Sequence, residues 1–332
     1  MERTQFTMLG DTGSGKTCYL LAMYLKMLEG VGKFTIAIPK GDFQKEQQLA
    51  RRAEMLDEED LGVDRFPEGT NSTQKYTFNL KIAHEDVLQF DWYDYPGSVL
   101  KPSQADPAMR ENLKKNLFDS SVLFICIDGA KLAGGSVDQK IRKVKKISRY
   151  VNQFLSEYRE EKKYIPPIAI IVTKYDLYAQ ETNESELRKI FEESFQSIFS
   201  RDDTFIAIIP VSIGLEIEFD DNRGELDPIN IELPIFYGIQ IAIYYKQHEF
   251  ENMNRNLKIE IDNNRFMRDF EKDRFFLWRS DAMINLLDQN ISNYQSEIDQ
   301  REQFIKTMNQ YLPEIESHTD KINLQFWDGR WH

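Results

Sequence analysis

The sequence predicts an α/β domain with a mostly parallel sheet and flanking helices, followed by a helical, coiled-coil-like extension. Three observations carry this. Continuous apolar runs of the kind that suit strands buried on both faces recur as SSVLFICIDGA, IPPIAIIVTKYD and DTFIAIIPVS. Helical stretches, Met109 to Phe118, Val137 to Tyr158 and Ser185 to Ser200, alternate with these runs. Beyond about Phe250 the strand pattern stops, and charged and amide residues dominate. The expected division is 1–250 for the α/β domain and 251–332 for the extension.

The elements follow in order. TQFTML (Thr4 to Leu9) reads as a short strand running into a loop crowded with Gly10, Gly13 and Gly15. An apolar helix then spans Lys16 to Gly30, the glycine being its stop. FTIAI (Phe34 to Ile38) is a short strand, and Asp42 to Asp60 is a polar helix with Asp42 as N-cap. After the turn-rich FPEGTNSTQ, the alternating stretches KYTFNLKIA and DVLQFDWYD form a hairpin that turns at His84-Glu85. ELPIFYGIQIAIYYKQ opens another helix, with Pro234 in its first turn. From Ile284 the apolar residues Leu287, Ile291, Tyr294, Ile298, Ile305, Met308, Leu312 and Ile315 recur at heptad steps, with Arg301 at the one missed position. Pro313 is expected to bend or break that helix. The aromatic cluster Phe275, Phe276 and Trp278 is expected to pack back on the α/β domain or else to form a partner-binding surface.

Composition narrows the function. The chain has 332 residues, 41% hydrophobic and 29% charged, with a net charge of −13. Such a balance opposes broad attraction to nucleic acid or anionic lipid. The densest basic stretch, KIRKVKK (Lys140 to Lys146), reads as a solvated helix face. Cys18 and Cys126 sit in apolar runs, offer neither a disulfide framework nor zinc spacing, and Cys126 reads as a small core residue. MERTQF lacks the pattern of a signal peptide, and no apolar run is long enough for a transmembrane helix, so a cytosolic protein is expected. His84, His248, His318 and His332 show no ligand spacing.

The chemistry lies in four short stretches. Gly10-Asp11-Thr12-Gly13-Ser14-Gly15-Lys16-Thr17 matches G-x-x-x-x-G-K-[ST] in full. Its glycines let the backbone N–H groups of the loop, from Asp11 through Cys18, close around phosphate oxygens at a helix N-terminus. Lys16 is placed to reach the β- and γ-phosphates and the Thr17 hydroxyl to bind Mg²⁺. DYPG (Asp94 to Gly97) supplies Asp94 to hold Mg²⁺ through a water and the Gly97 N–H to face the γ-phosphate. TKYD (Thr173 to Asp176) ends a buried strand, where the Asp176 carboxylate suits the N1–H and N2–H₂ donors of guanine and the Lys174 stem can cover the base. PVSIG places Ser212 and the Ile213 N–H near guanine O6. Asp128 ends a strand nearby but fits no motif.

Together, in this order, the four stretches resemble the TRAFAC class of P-loop GTPases, which includes Ras-like proteins, over roughly residues 3–250. The resemblance implies a six-stranded sheet, GTP/GDP and Mg²⁺ as ligands, slow hydrolysis and two switch segments. It also implies a switch threonine on Mg²⁺; PEGT favours Thr70, with Thr73 as the alternative. Catalysis is then expected to rest on Lys16, Thr70 and Gly97, and the metal on Thr17, Thr70 and Asp94. Three departures stand out. Ser98 occupies the place of the water-orienting glutamine and is too short for that task. Gly13 stands where potassium-activated relatives carry asparagine. The long intervals from Lys16 to Asp94 and from Asp94 to Thr173 imply added elements around the switches. DPINIELPIFYGI looks like bacterial double-GTPase members of the class, which implies a second GTPase or another gene-neighbour protein as partner. The expected function is a Mg²⁺-dependent GTPase switch with partners at its switch regions and helical tail. The alternatives are a GTP-binding scaffold with little turnover, and a tail that drives self-association.

Overall fold

The sheet grows outward from β1 (Arg3–Gly10), flanked on one side by β4 (Glu85–Asp94) and on the other by β5 (Val122–Asp128), both parallel to it. The computed structural model describes residues 3–58, 65–101, 106–214, 226–274 and 280–332. Beyond β5 lie β6 (Ile168–Thr173) and β7 (Ile206–Pro210), again parallel. Beyond β4 lie β3 (Gln74–Ile82) and β2 (Phe34–Ala37), both antiparallel to their neighbours. At the far edge β8 (Gln325–Trp327) and β9 (Arg330–Trp331) add antiparallel. The order is β2-β3-β4-β1-β5-β6-β7-β8-β9, so the sheet among the described residues is mixed and nine-stranded. The six strands implied by the resemblance are its centre, β3 to β7, and three more extend its edges.

Helices α1 (Lys16–Glu29), α2 (Phe43–Asp57), α3 (Pro107–Phe118), α4 (Val137–Lys162), α5 (Glu184–Ser194) and the short α6 (Gln196–Phe199) connect the strands. β6 is buried at every position, as its unbroken apolar run requires. The β3–β4 hairpin turns at Ala83-His84, one residue earlier than expected, with both residues at positive φ (48° and 74°), as a twist-matched two-residue turn demands. The expected helix from Ser185 to Ser200 is interrupted at Phe195, whose φ of −122° leaves the helical range while its ring is fully buried. The basic stretch is not wholly a solvated face. Lys140 is 3% exposed, its Nζ donating to the Glu181 carbonyl (3.0 Å) and the Thr182 hydroxyl (2.8 Å).

Two units divide the chain: 1–239 with 318–332, and 240–317. α7 (Leu233–Asp273) and α8 (Asp281–Thr319) supply the second unit. Within it they form an antiparallel hairpin, joined by Gln247–Asn309 (2.8 Å), Phe250–Phe304 (5.5 Å between rings) and Arg268–Asp288 (3.1 Å). The heptad positions Ile284, Ile298, Met308 and Ile315 are buried there. At the missed position Arg301 donates to Asn254 and Glu297, making a polar layer in the seam. Pro313 does not end α8. It lies on the exposed face, where the lost N–H and the ring are accommodated while buried Met308 and Ile315 hold the seam on either side. The aromatic cluster at 275–278 lies outside the described residues. No helix among the described residues is long and apolar enough to cross a membrane.

The extension assigned to 251–332 is corrected at its end, because residues 318–332 return to the sheet as β8 and β9. Phe326, buried, packs against Phe199 (5.2 Å) and Trp331 (5.5 Å), and Arg188 lies over the Trp331 ring. Phe326→Ala should therefore cost about 3–5 kcal/mol, measured by denaturant unfolding.

A second prediction concerns Asp91 on β4. Burial opposes its ionisation, yet bonds from Arg3, Thr77 and Lys75 together hold its carboxyl below the ordinary aspartate value. Because the folded value is the lower one, the stabilisation is complete above the unfolded value and fades as pH falls through the folded value. The stability gap between wild type and Asp91→Asn should thus stay constant near neutrality and narrow in strong acid, measured by unfolding at a series of pH values.

Candidate functional site

The loop between β1 and α1 is seated by two neighbouring strands. A Cβ at Gly10 would lie 2.6 Å from the Cys126 carbonyl, so only glycine lets β1 approach β5 this closely. Gly13 and Gly15 have φ of 76° and 84°, the left-handed region that glycine adopts without strain. The Ser14 carbonyl accepts from the Thr173 hydroxyl at 2.8 Å and from the Cys126 thiol at 3.0 Å. Burial pushes that thiol up to about 12, so it stays a protonated donor. Cys126 is more than a small core residue, and Thr173 directs its hydroxyl to the loop itself. Lys16, buried, donates to the carbonyls of Gly10 (2.9 Å) and Asp11 (3.0 Å). No side chain caps the α1 N-terminus. Its first-turn N–H groups are thus available to an anion.

Beside the loop three oxygens converge. Thr17 and Thr70 hydroxyls lie 3.0 Å apart, and both donate to Asp94 Oδ2 at 3.3 Å. Thr70, not Thr73, occupies this place. Asp94 is 1% exposed, and its Oδ1 is buried with no hydrogen-bond partner among the described residues. Burial raises the Asp94 carboxyl above its ordinary value, against the opposing charge of Lys16, the hydroxyl bonds of Thr70 and Thr17, and the charge of Arg52. One carboxylate and two hydroxyls are hard donors too few to enclose a cation alone, which fits Mg²⁺ completed by phosphate and water. Gly97 presses on the loop, for a Cβ there would lie 2.1 Å from the Thr12 nitrogen. Ser98 follows in the single 3₁₀ turn Gly97–Leu100.

A cavity of about 270 Å³ runs along Thr12 to Cys18, Phe66 to Thr70, Gly97 and Lys174. A second pocket continues it, sharing Gly15, Cys18 and Lys174 and adding Tyr19, Asp176, Ser212 and Ile213. There Asp176 Oδ1 accepts from the Ser212 hydroxyl at 2.5 Å, and the Ser212 oxygen accepts from the Gly214 N–H. Lys174, at φ 54°, pairs with Asp128 at 3.0 Å. Of the expected site residues, Thr12 to Cys18, Thr70, Gly97, Thr173, Lys174, Asp176, Ser212 and Ile213 line these two pockets, Asp94 meets Thr17 and Thr70 beside them, and Asp11 and Thr73 line neither.

Several residues escaped sequence reasoning. Asp128 has a signal in hindsight, since it stands at the end of β5 directly opposite Thr173 on β6. Lys101 and Lys131 face the Asp11 carboxylate at 3.1 and 3.9 Å. Arg65, 2% exposed, donates to the Leu56 carbonyl and closes the C-terminus of α2. Arg52 on α2 donates to the Tyr76 hydroxyl at 3.2 Å. These contacts join distant segments, and no local pattern marks them.

A family model, Double-GTPase 2, matches residues 6–208. No curated protein sequence matches the chain. Among solved structures the chain is similar to one from the signal recognition particle receptor SRb-GTP/SRX complex of Chaetomium thermophilum, with 14% identity and a TM-score of 0.40 over 63% of this chain and 90% of that one. It is similar to the S. cerevisiae Ski7 GTPase-like domain bound to GTP, with 18% identity and a TM-score of 0.35 over 66% of this chain and 45% of that one. It is also similar to the bacterial selenocysteine-specific elongation factor EF-Sec, with 13% identity and a TM-score of 0.31 over 64% of this chain and 26% of that one. The family match runs from β1, which opens the phosphate loop, into β7, more than half of the chain, and the protein therefore belongs to the Double-GTPase 2 family of P-loop GTPases.

Proposed function

We propose that the protein binds GTP with Mg²⁺ in this groove, hydrolyses it slowly to GDP and phosphate, and acts as a switch. The observation that carries the reading is the convergence of Thr17, Thr70 and Asp94 beside the loop, with a buried Asp94 oxygen left without a partner. In this reading the loop N–H groups from Asp11 to Cys18 bind the phosphates, and Lys16 turns from the loop carbonyls to the β- and γ-phosphates. Thr17, Thr70 and Asp94 hold the metal, which supplies charge neutralisation between the phosphates. The Gly97 N–H meets the γ-phosphate. Asp176 and Ser212 read the guanine edge, with the Ile213 N–H, while Lys174 covers the base and Thr173 fixes the loop.

Thr70 belongs to a segment that GTP would order through the metal and that hydrolysis would release. The helical hairpin of 240–317 would serve as a coiled-coil surface for a partner, a second GTPase among the candidates, or for self-association. Two cysteines held as thiols, outside any disulfide, suit work in the cytosol. Ser98 in place of glutamine favours one competing reading, a GTP-binding scaffold with little turnover. Single-turnover phosphate release by the protein alone and with partners separates the two.

Titration calorimetry should give micromolar or tighter GTP binding and little ATP binding. Asp176→Ala should weaken GTP roughly 100-fold through loss of charged hydrogen bonds. Comparable affinity for both nucleotides would sink the guanine assignment. Asp94→Asn should behave in opposite ways with and without ligand. The raised Asp94 carboxyl means that its charged form costs the nucleotide-free protein stability near neutrality, and the neutral amide relieves this. Thermal melting should therefore show a higher Tm for the nucleotide-free variant, and loss of the additional stabilisation that GTP with Mg²⁺ gives the wild type.

A further inference from the structure

Ser98 leaves the proposed hydrolysis without the glutamine that orients water, so more of the rate falls to a cation that stabilises the transition-state charge. Lys16 is bound to two loop carbonyls. Lys101 and Lys131 both face Asp11, and Lys174 faces Asp128. Arg65 is buried at the end of α2, bound to backbone carbonyls. Arg52 differs from all of these. It is half-buried, and among the described residues its one hydrogen bond is to a neutral phenol, Tyr76, and no carboxylate stands within ion-pair distance, although its charge acts on Asp94 from farther away. With Met55 and Arg65 it lines a cavity whose other wall is Phe66, Pro67 and Glu68. Those same three residues wall the phosphate cavity. This strip of three residues, close to Thr70 in the chain, lines both cavities.

We infer that Arg52 is a catalytic residue, an in-chain guanidinium that α2 brings to the γ-phosphoryl group during hydrolysis. The inference rests on the GTPase reading above. In the reaction, the oxygen of water forms a bond to the γ-phosphorus as the bond to the β–γ bridging oxygen breaks. The electron pair of that bond leaves with GDP, and the proton lost by water passes to the released phosphate. Negative charge shifts toward the bridging oxygen, where a planar guanidinium can offer two N–H donors at once. Lys101, Lys131 and Lys174 would each have to leave a carboxylate to do this. Arg52 has only to leave a phenol, a weaker partner than any ion pair. Helix α2 lies between β2 and the Thr70 segment, so the arginine is carried by the element inserted just before that segment.

The competing role for Arg52 is a tether that holds α2 to β3 through Tyr76. Single-turnover GTP hydrolysis and binding of GDP with fluoroaluminate, a mimic of the transferring phosphoryl group, distinguish the two in the full chain. Arg52→Ala should slow hydrolysis about a thousand-fold or more and abolish the fluoroaluminate complex. Its GTP and GDP affinities should stay within about threefold, since the contact belongs to the transition state. Arg52→Lys should also be slow, because the charge survives but the two-pronged donor does not. Tyr76→Phe should hydrolyse GTP within about threefold of wild type, which a tether would not allow. If Arg52→Ala fails to fold, Arg52→Lys and Arg52→Gln carry the same test. Wild-type turnover in these arginine variants overturns the inference and leaves the GTPase reading standing. So does an equal loss in Arg52→Ala and Tyr76→Phe. A wild type that binds GTP without ever releasing phosphate overturns the inference together with the hydrolysis part of the parent reading, in favour of the scaffold. A wild type that binds no GTP overturns the parent reading and this one with it.

Discussion

The Ser14 carbonyl is the fixed point of the molecule. Two donors from different strands, the Thr173 hydroxyl of β6 and the Cys126 thiol of β5, converge on that one oxygen. An anion cradle made of glycines would otherwise spend binding free energy on ordering its own backbone. Pinning Ser14 fixes the middle of the loop before a ligand arrives. The pin requires β5 and β6 to be parallel neighbours ending at the same level, and the pairing of Asp128 with Thr173 provides that. Close approach completes it: a Cβ at Gly129 would stand 1.9 Å from the Thr173 carbonyl. Long apolar strands buried on both faces are what hold the register. In this sense the core exists to place one carbonyl, and the ligand groove outside the strand ends follows from it.

Charge in the groove is arranged around that rigid floor. Asp11 faces two lysines, Lys174 faces Asp128, and Lys16 rests on carbonyls. Of the groove's described carboxylates, Asp94 carries a buried oxygen with no hydrogen-bond partner, and its raised carboxyl records the desolvation it suffers. A cation supplied together with phosphates would meet both deficits, at Asp94 and at the uncapped N-terminus of α1. Ligand and site are thus complementary in sign at both ends, which favours a metal–triphosphate unit over either component alone.

What could be read from the sequence was what is local. The phosphate loop, the buried strands and the Thr173–Asp176 stretch announce themselves by spacing within a few residues, and the loop and that stretch lie at the carboxyl ends of the interior strands β1 and β6. The edge strands β8 and β9 could not be read this way. They are two or three residues long, and they exist because β7 offers unpaired backbone and Phe199 a ring to pack on, more than a hundred residues away in the chain. Pro313 misled for the opposite reason. Its local rule is sound for an isolated helix, but here the penalty is met on an exposed face while the hairpin seam holds the helix together. Lys140 shows the same limit, since nothing in a basic run tells which lysine will find Thr182 beneath it.

The insertion before the Thr70 segment has a mechanical consequence. Arg65 is sunk into the end of α2, holding the Leu56 carbonyl with two nitrogens, and only Phe66 to Gly69 separate it from Thr70 in the chain. The buried guanidinium cannot slide without leaving carbonyls unsatisfied, a loss of the order of 1–3 kcal/mol for each. Thr70 therefore hangs on a short tether from a fixed post. A threonine drawn toward Thr17 and Asp94 pulls against that post and not against a free loop. The response of the segment must then pass into α2, whose opposite face bears Phe43 and Arg51 to solvent. Coupling of this kind would need no long pathway, because α2, Arg65 and Thr70 lie close together in the chain.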